Sequence, residues 1–275
     1  KQLDKRLFSL PKQPNAIPYI TSYYKKNWGF CIKHKDKVML RNGNYRAIIK
    51  SSLKNGKLQY GELIINGKSK KEILLTTYVC HPQMANNETS GISVLTFLSD
   101  WIQKKKRNFT YRILFIPETI GSIAYISKHY KKLKKNLVAG FVITCVGDEG
   151  KFSYVPSRNG RTTSDVVAKK ILNSEKKSFV TYTWLDRGSD ERQFCAPGID
   201  LPVCSITKSK YGTYREYHTS LDKLGNVVTS KGLNKSLNIY KKVINYIDSK
   251  YHPNLFFPST RIFCEPQMGK RGLYP

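Results

Sequence analysis

Four segments carry residue types suited to hydrolytic or metal chemistry. Tyr78-Val79-Cys80-His81-Pro82 puts an imidazole at the end of an apolar run, and the chain then passes through Ala85-Asn86-Asn87-Glu88-Thr89 to Ser90-Gly91. Ile116-Pro117-Glu118-Thr119 ends another apolar run in a carboxylate. Cys145-Val146-Gly147-Asp148-Glu149-Gly150 follows a third with an acidic turn, and Tyr217-His218-Thr219-Ser220-Leu221-Asp222 adds a second imidazole. Imidazoles and carboxylates gathered at strand ends form a donor set that zinc can use. A carboxylate left over can take a proton from an activated water. Taken singly, each has a plainer reading: a strand-end His is more often structural, and an Asp in Gly-Asp-Glu-Gly is usually a turn residue. Their shared position joins them.

A fifth segment, Trp184-Leu185-Asp186-Arg187-Gly188-Ser189-Asp190-Glu191-Arg192, packs five charges into seven positions. It reads either as a solvated loop or as a recognition loop. In the second reading Arg187 and Arg192 grip a carboxylate or phosphate, and Asp190 grips an amine.

These segments need a frame. Residues 73–79, 111–116, 139–146 and 201–206 are continuous apolar runs of the kind found in strands covered on both faces. Between them, 90–105, 122–133, 163–172 and 231–250 have helical periodicity. The alternation predicts an α/β fold, a central, mostly parallel mixed sheet with helices on both faces, and sites at the carboxyl ends of its strands. Residues 1–70 read as a small β-rich module. Asn42-Gly43, Asn55-Gly56 and Asn66-Gly67 are turn signals, and strands are expected over 45–49 and 58–65. The α/β domain spans 71–250. The tail, 251–275, has four prolines and no periodicity, and reads as an extended arm or a lead into a further module. A first residue of Lys rather than Met suggests a fragment or processed chain.

The chain has 275 residues, 48 Lys and Arg against 19 Asp and Glu, and a formal net charge of +29. Such charge attracts anionic surfaces and raises a nucleic-acid reading. However, 36 of the cations are Lys and only 12 are Arg, scattered rather than striped. A nucleic-acid partner is therefore not expected for this stretch. No apolar run reaches about 18 residues, so no transmembrane helix is expected. The six cysteines form no Cys-x-x-Cys pair, and several sit in apolar runs. Buried free thiols in a reducing cytoplasm follow.

Cys80-His81-Pro82 with Ala85-Asn86-Asn87 and Ser90-Gly91 resembles the His and Asn-Asp-Asp-x-Ser-Gly segment of bacterial zinc aminopeptidases of the leucyl aminopeptidase type. The resemblance continues through Glu118 before Gly121-Ser122, Asp148, Ser189-Asp190, Gly198-Ile199, and His218-Thr219 with Asp222, in order across 73–250. The longer strings from Arg187 to Gln193 and from Cys264 to Gly272 are similar to a narrower branch. That branch comprises aminopeptidase-like proteins of unknown function with an inserted β module and a C-terminal winged helix, often found beside surface-polysaccharide genes. The resemblance implies a zinc-exopeptidase-like sheet. It implies that His81 and Asp148 hold one zinc, and that Glu118 and His218 hold another or that Glu118 is the general base. Asn87 falls where those enzymes place the Asp that bridges two metals, and Pro117-Glu118 offers one Glu where they have a pair. A neutral amide cannot supply the bridging charge. One ion, or weak occupancy, is therefore expected over a tight pair, with Glu191 a spare acid and Tyr217 beside the substrate. The implied activity is zinc-dependent hydrolysis of an amide or peptide bond in a small molecule or short peptide. The alternative is a weak or inactive ligand-binding descendant linked to surface polysaccharide. A homo-oligomer is compatible with either.

Overall fold

Along the strand Glu72–Tyr78 every residue is buried, and alternate side chains enter two different cores. Ile73 and Leu75 join one cluster, Leu74 the other. A strand lined on both sides belongs in the middle of a layered α/β sheet, and the computed structural model places it there. The structure describes residues 2–21, 27–52, 54–80, 84–175 and 177–251. His81 and the tail beyond 251 lie outside the described residues.

The strands are β1 (Leu7–Phe8), β2 (Phe30–Cys31), β3 (Gly61–Ile65), β4 (Glu72–Tyr78), β5 (Thr110–Ile116), β6 (Leu137–Val142), β7 (Ser153–Val155), β8 (Val180–Thr181) and β9 (Val203–Thr207). The helices are α1 (His34–Val38), α2 (Ser90–Gln103), α3 (Ile120–Asn136), α4 (Thr163–Ser174), α5 (Glu191–Phe194) and α6 (Ser230–Lys250). Strands β3 to β9 form one seven-stranded sheet in the order β3-β5-β4-β6-β9-β7-β8. Neighbours among β5, β4, β6 and β9 run parallel, while β3 on β5 and β7 on β9 are antiparallel. This is the mixed, mostly parallel α/β sheet expected from the alternation.

Helices α2, α4 and α6 cover one face through Val94, Leu98, Val167, Ile171, Tyr240 and Val243. Helix α3 covers the other through Tyr125, Ile126 and Leu133, beside Phe194 of α5. Two of these helices start on a side-chain cap. The Thr229 hydroxyl caps α6 by accepting from Gly232 N at 3.0 Å, and Thr162 with Asp165 forms a capping box on α4. Gly91 permits close packing, since a Cβ there would run into the Ile143 carbonyl and the Thr77 hydroxyl.

The amino-terminal region departs from expectation. Residues 45–49 form no strand and are exposed, and the strand expected over 58–65 is confined to Gly61–Ile65. That strand is the edge of the main sheet, paired with β5. Turn signals mark where a chain can reverse, but a strand exists only where a partner takes its hydrogen bonds. The short β7 and β8 carry too few residues for a visible period. No helix among the described residues is long and apolar enough to cross a membrane.

Candidate functional site

The carboxyl ends of β4, β5 and β6 converge on a turn of π-helix, Ala85–Thr89, that runs into α2. Asp222 fixes this turn: its Oδ1 accepts from Asn86 N at 2.7 Å and its Oδ2 from Asn87 N at 3.1 Å and from the Tyr214 hydroxyl at 2.9 Å. A carboxylate at a helix start satisfies amides that have no partner inside the helix. Asn86, Asn87 and Glu88 are all buried.

Asn87 occupies the centre and its amide is spoken for. Its Nδ2 donates to Glu88 Oε1 at 3.0 Å, and its Oδ1 receives the Tyr78 hydroxyl at 3.2 Å and the Cys145 thiol at 3.8 Å. The side chain that β6 delivers beside it is Thr144, whose hydroxyl donates to the Asn87 carbonyl at 2.8 Å. Asp148 comes four residues later and faces elsewhere. It accepts from Gly150 N (2.7 Å), Ser209 Oγ (2.9 Å), Ser209 N (3.0 Å) and Asn86 Nδ2 (3.0 Å), which fills both oxygens. Glu191 is similarly committed, to Gly188 N and Ser189 N at 3.0 Å each, the Tyr211 hydroxyl at 2.5 Å and Ser205 Oγ at 3.3 Å.

Glu88 is the acid that faces the centre. It is 3% exposed, and its Oε2 accepts from Cys80 N at 3.3 Å. Burial pushes its pKa up to about 9, with Asp190 and Asp222 adding to the rise. Asp190 is fully buried and is pushed up to about 7, again mainly by burial. Its Oδ1 accepts from Thr119 N at 2.8 Å and Ser122 Oγ at 2.9 Å, while its Oδ2 has no hydrogen bond among the described residues. This grip holds Thr119 at a φ of 61° and thereby orients the preceding Glu118. Glu118 follows β5, close enough to Tyr78, Cys80 and Tyr217 to press their pKa values upward.

His218 closes the group from its own loop. Its φ is 54°, a left-handed value unusual for a side chain with a Cβ. Tyr19 braces it, donating N–H to the His218 carbonyl at 2.8 Å and meeting the imidazole edge-on at 5.3 Å. Tyr217 stacks on the imidazole at 3.9 Å. The Tyr217 hydroxyl stays protonated, driven above the usual tyrosine range by burial and then by Cys145, Glu118 and Glu88. Of the two recognition-loop arginines, Arg192 reaches the site, donating to Thr119 Oγ1 at 2.7 Å. Arg187 is exposed and lies over the Trp184 ring at 4.7 Å.

Of the residues singled out in the sequence, Asn87, Glu118, Asp190, Arg192, Tyr217 and His218 gather here. Asp148 and Glu191 spend their oxygens on neighbouring loops, Arg187 stays outside, and His81 lies outside the described residues. Thr144, Tyr78 and Thr119 carried no signal beyond following or ending an apolar run. A two-zinc centre does not fit this donor set. Asn87 is neutral and hydrogen-bonded throughout, Asp148 is consumed, and among the described residues no three His, Cys, Asp or Glu side chains could hold an ion together. What the site offers a single cation is buried acid: Asp190 adds to the rise at Glu88, and Asp190 Oδ2 has no hydrogen-bond partner among the described residues.

Comparison with known proteins agrees with this geometry. The family described as "Domain of unknown function (DUF4910)" matches residues 8–250. A Clostridium acetobutylicum protein, provisionally named a polysaccharide biosynthesis protein with aminopeptidase-like domain, is 42% identical over 273 residues. The match covers 99% of this chain and 61% of that one, so the chain spans about three fifths of the relative's length. A crystal structure from Clostridium acetobutylicum, provisionally named a peptidase, superposes with a TM-score of 0.86 at 41% identity, over 98% of this chain and 63% of that one. BSAP, a zinc aminopeptidase from Bacillus subtilis, shares the fold with a TM-score of 0.55 at 17% identity, over 68% of this chain and 48% of that one. The sheet order, the convergence of strand ends on Asn87 and Glu88, and the match over 8–250 agree: the chain belongs to the DUF4910 family and carries an aminopeptidase-like domain.

Proposed function

We propose that the chain is an aminopeptidase-like hydrolase of an amide bond in a small molecule or short peptide, working with one zinc ion and with Glu88 as its acidic ligand. The observation that carries this reading is the Glu88 carboxylate, buried, within electrostatic reach of Asp190 and Asp222, and pushed up to about 9. An acid so enclosed is stabilised by a cation. Glu88 and His218 would hold the ion, with His81 as the third donor that the sequence suggests. Bound there, zinc would polarise the amide carbonyl and acidify a water. The Glu118 carboxylate would serve as general base and acid, accepting a proton from the attacking water and giving it to the leaving amine. The protonated Tyr217 hydroxyl donates to the oxygen on which charge develops. Asp190, through the Thr119 amide, keeps the Glu118 backbone in place. The name of the Clostridium relative, a polysaccharide biosynthesis protein, favours a polysaccharide precursor as the substrate class. The free thiols at Cys31, Cys80, Cys145, Cys195 and Cys204 support a reducing compartment.

Zinc titration followed by elemental analysis tests this. The expected stoichiometry is about one ion per chain, lost in Glu88→Gln and His218→Ala and kept in Asp148→Asn. Zinc retained at full affinity in Glu88→Gln would overturn the ligand assignment. Glu118→Gln should keep the metal and lose turnover.

The locked amide of Asn87 favours a second reading, a descendant that binds the same class of molecule without cleaving it. Under that reading the native chain takes up no zinc, and Glu118→Gln leaves ligand affinity unchanged.

A further inference from the structure

A second concavity lies on the α4 and α6 side of the sheet, away from Glu118 and His218. The turn after Asp148, the end of α4 and one flank of α6 enclose about 600 Å³, within the range of small-ligand pockets. Its lining is basic and partly aromatic, with Lys151, Lys177, Lys208 and Lys235 beside Phe152 and Phe179.

The acids in the lining are already engaged. Glu149 pairs with Lys231 at 2.8 Å, and Glu175 with Lys242 at 2.5 Å. Lys241 leans over the Trp101 ring at 5.6 Å. Among the described residues, Lys151, Lys177, Lys208 and Lys235 make no ion pair. Lys208 is the unusual member. It is 3% exposed, and its ammonium rests on the Phe152 ring at 4.0 Å from the centroid. The nearby Asp148 cannot pair with it directly, having given its oxygens to Asn86, Gly150 and Ser209. Burial depresses the Lys208 pKa, Asp148 and Glu149 partly offset this, and Lys235 and Lys177 depress it further. A buried ammonium beside further cations, with no direct ion pair of its own, is stabilised further by an anion placed among them.

We infer that this cavity binds a small polyanion carrying a flat apolar group, the chemistry of a nucleoside diphosphate. Lys208, held on Phe152, and Lys235 meet the charged end, and Phe179 meets the ring. Phe152 and Phe179 are only partly buried and pack against the main core, and Phe152 also carries the Lys208 ammonium, so Phe179 is the ring left to meet the flat group. Surface lysines elsewhere on this cationic chain would attract anions without selecting a shape, and their attraction would vanish with salt.

Calorimetric titration of the full chain at physiological salt tests the inference, with uridine diphosphate, uridine and inorganic pyrophosphate as separate probes. Uridine diphosphate should bind saturably at one site, and at least about tenfold more tightly than pyrophosphate or uridine alone. Lys208→Met should weaken it by about tenfold or more. Lys235→Glu, a reversal at a partly exposed position that leaves the core untouched, should do the same in a chain that still unfolds cooperatively. Zinc uptake should be unchanged in both variants, which separates failure here from failure at the Glu88 site. Equal affinity for pyrophosphate and uridine diphosphate would overturn the inference by showing that the Phe179 ring selects nothing. So would binding that is unaffected by Lys235→Glu, or the absence of saturable binding by any probe.

Discussion

The Tyr217 ring lies flat on the His218 imidazole, with 3.9 Å between centroids and 14° between planes. The stack holds His218 in its left-handed backbone conformation from one side while Tyr19 holds it from another. Two aromatic braces on one imidazole fix its direction before any ion arrives. A donor that is already oriented loses less freedom on binding. Tyr217→Leu should therefore weaken zinc affinity by about tenfold, and Tyr217→Phe, which keeps the stack, should leave it near native. Competition with a chromogenic chelator measures both. If the Leu and Phe variants bind alike, the stack has no positioning role.

Asp190 sets a pH dependence. Its pKa in the folded chain is about 7, against 3.8 for the ordinary carboxyl. Between these values the folded state holds a proton that the unfolded state has released, so stability falls as pH rises from about 4 to 7 and then levels off. Asp190→Asn keeps an oxygen for Thr119 N and Ser122 Oγ and removes the buried charge. Urea unfolding across pH 4 to 9 should show a flatter profile for the variant. Its advantage above pH 7 should be on the order of 1–3 kcal/mol. A parallel profile would show that the Asp190 charge is compensated in solution.

Asp222 ties two elements: the π-helical turn that leads into α2, through two of its amides, and the loop bearing Tyr214. Asp222→Ala leaves two buried amides and a hydroxyl without their acceptor. A loss of about 2–4 kcal/mol is expected from unsatisfied donors of this kind, read by chemical denaturation. The zinc stoichiometry should fall with it, because Glu88 sits on the turn that Asp222 anchors.

The central sheet was legible because burial on both faces writes unbroken apolar runs, and Ile73 to Tyr78 could be little else. The position of Glu118 was legible for a related reason: an acid that ends such a run falls just past the carboxyl end of a strand, here β5. Asp148 had the same appearance, yet its side chain curls back onto Gly150 N at 2.7 Å, the local bond that Asp offers in turns. Nothing in Val146-Gly147-Asp148-Glu149-Gly150 separates an acid that faces a site from one that closes its own turn. Only the placement of Ser209, 61 residues away, decides it. The expected strand at 45–49 failed for want of a partner, which is likewise a nonlocal fact. Thr144 is a small polar residue at a strand end and becomes informative only once Asn87 and Tyr78 are seen against it.

Arg112 supplies a test of the scaffold itself. Its guanidinium is 2% exposed in the middle of β5, a position where an apolar side chain would serve. It meets Glu72 of β4 in a fork, Nε to Oε2 at 2.6 Å and Nη2 to Oε1 at 2.8 Å. Its Nη1 also reaches the Tyr125 hydroxyl at 2.9 Å and Glu62 of the edge strand. The fork pins β4 to β5, and Glu62 extends the tie to β3. Removing one partner strands the other as a buried charge. Arg112→Met should cost about 3–5 kcal/mol for that reason. Replacing both partners, Arg112→Met with Glu72→Leu, removes the stranded charge as well as the bond, so the double variant should recover most of the loss. Urea unfolding of the single and double variants decides the matter. If the double variant is no more stable than Arg112→Met, the ion pair contributes packing that apolar side chains cannot replace, and the cost lies in shape rather than in charge.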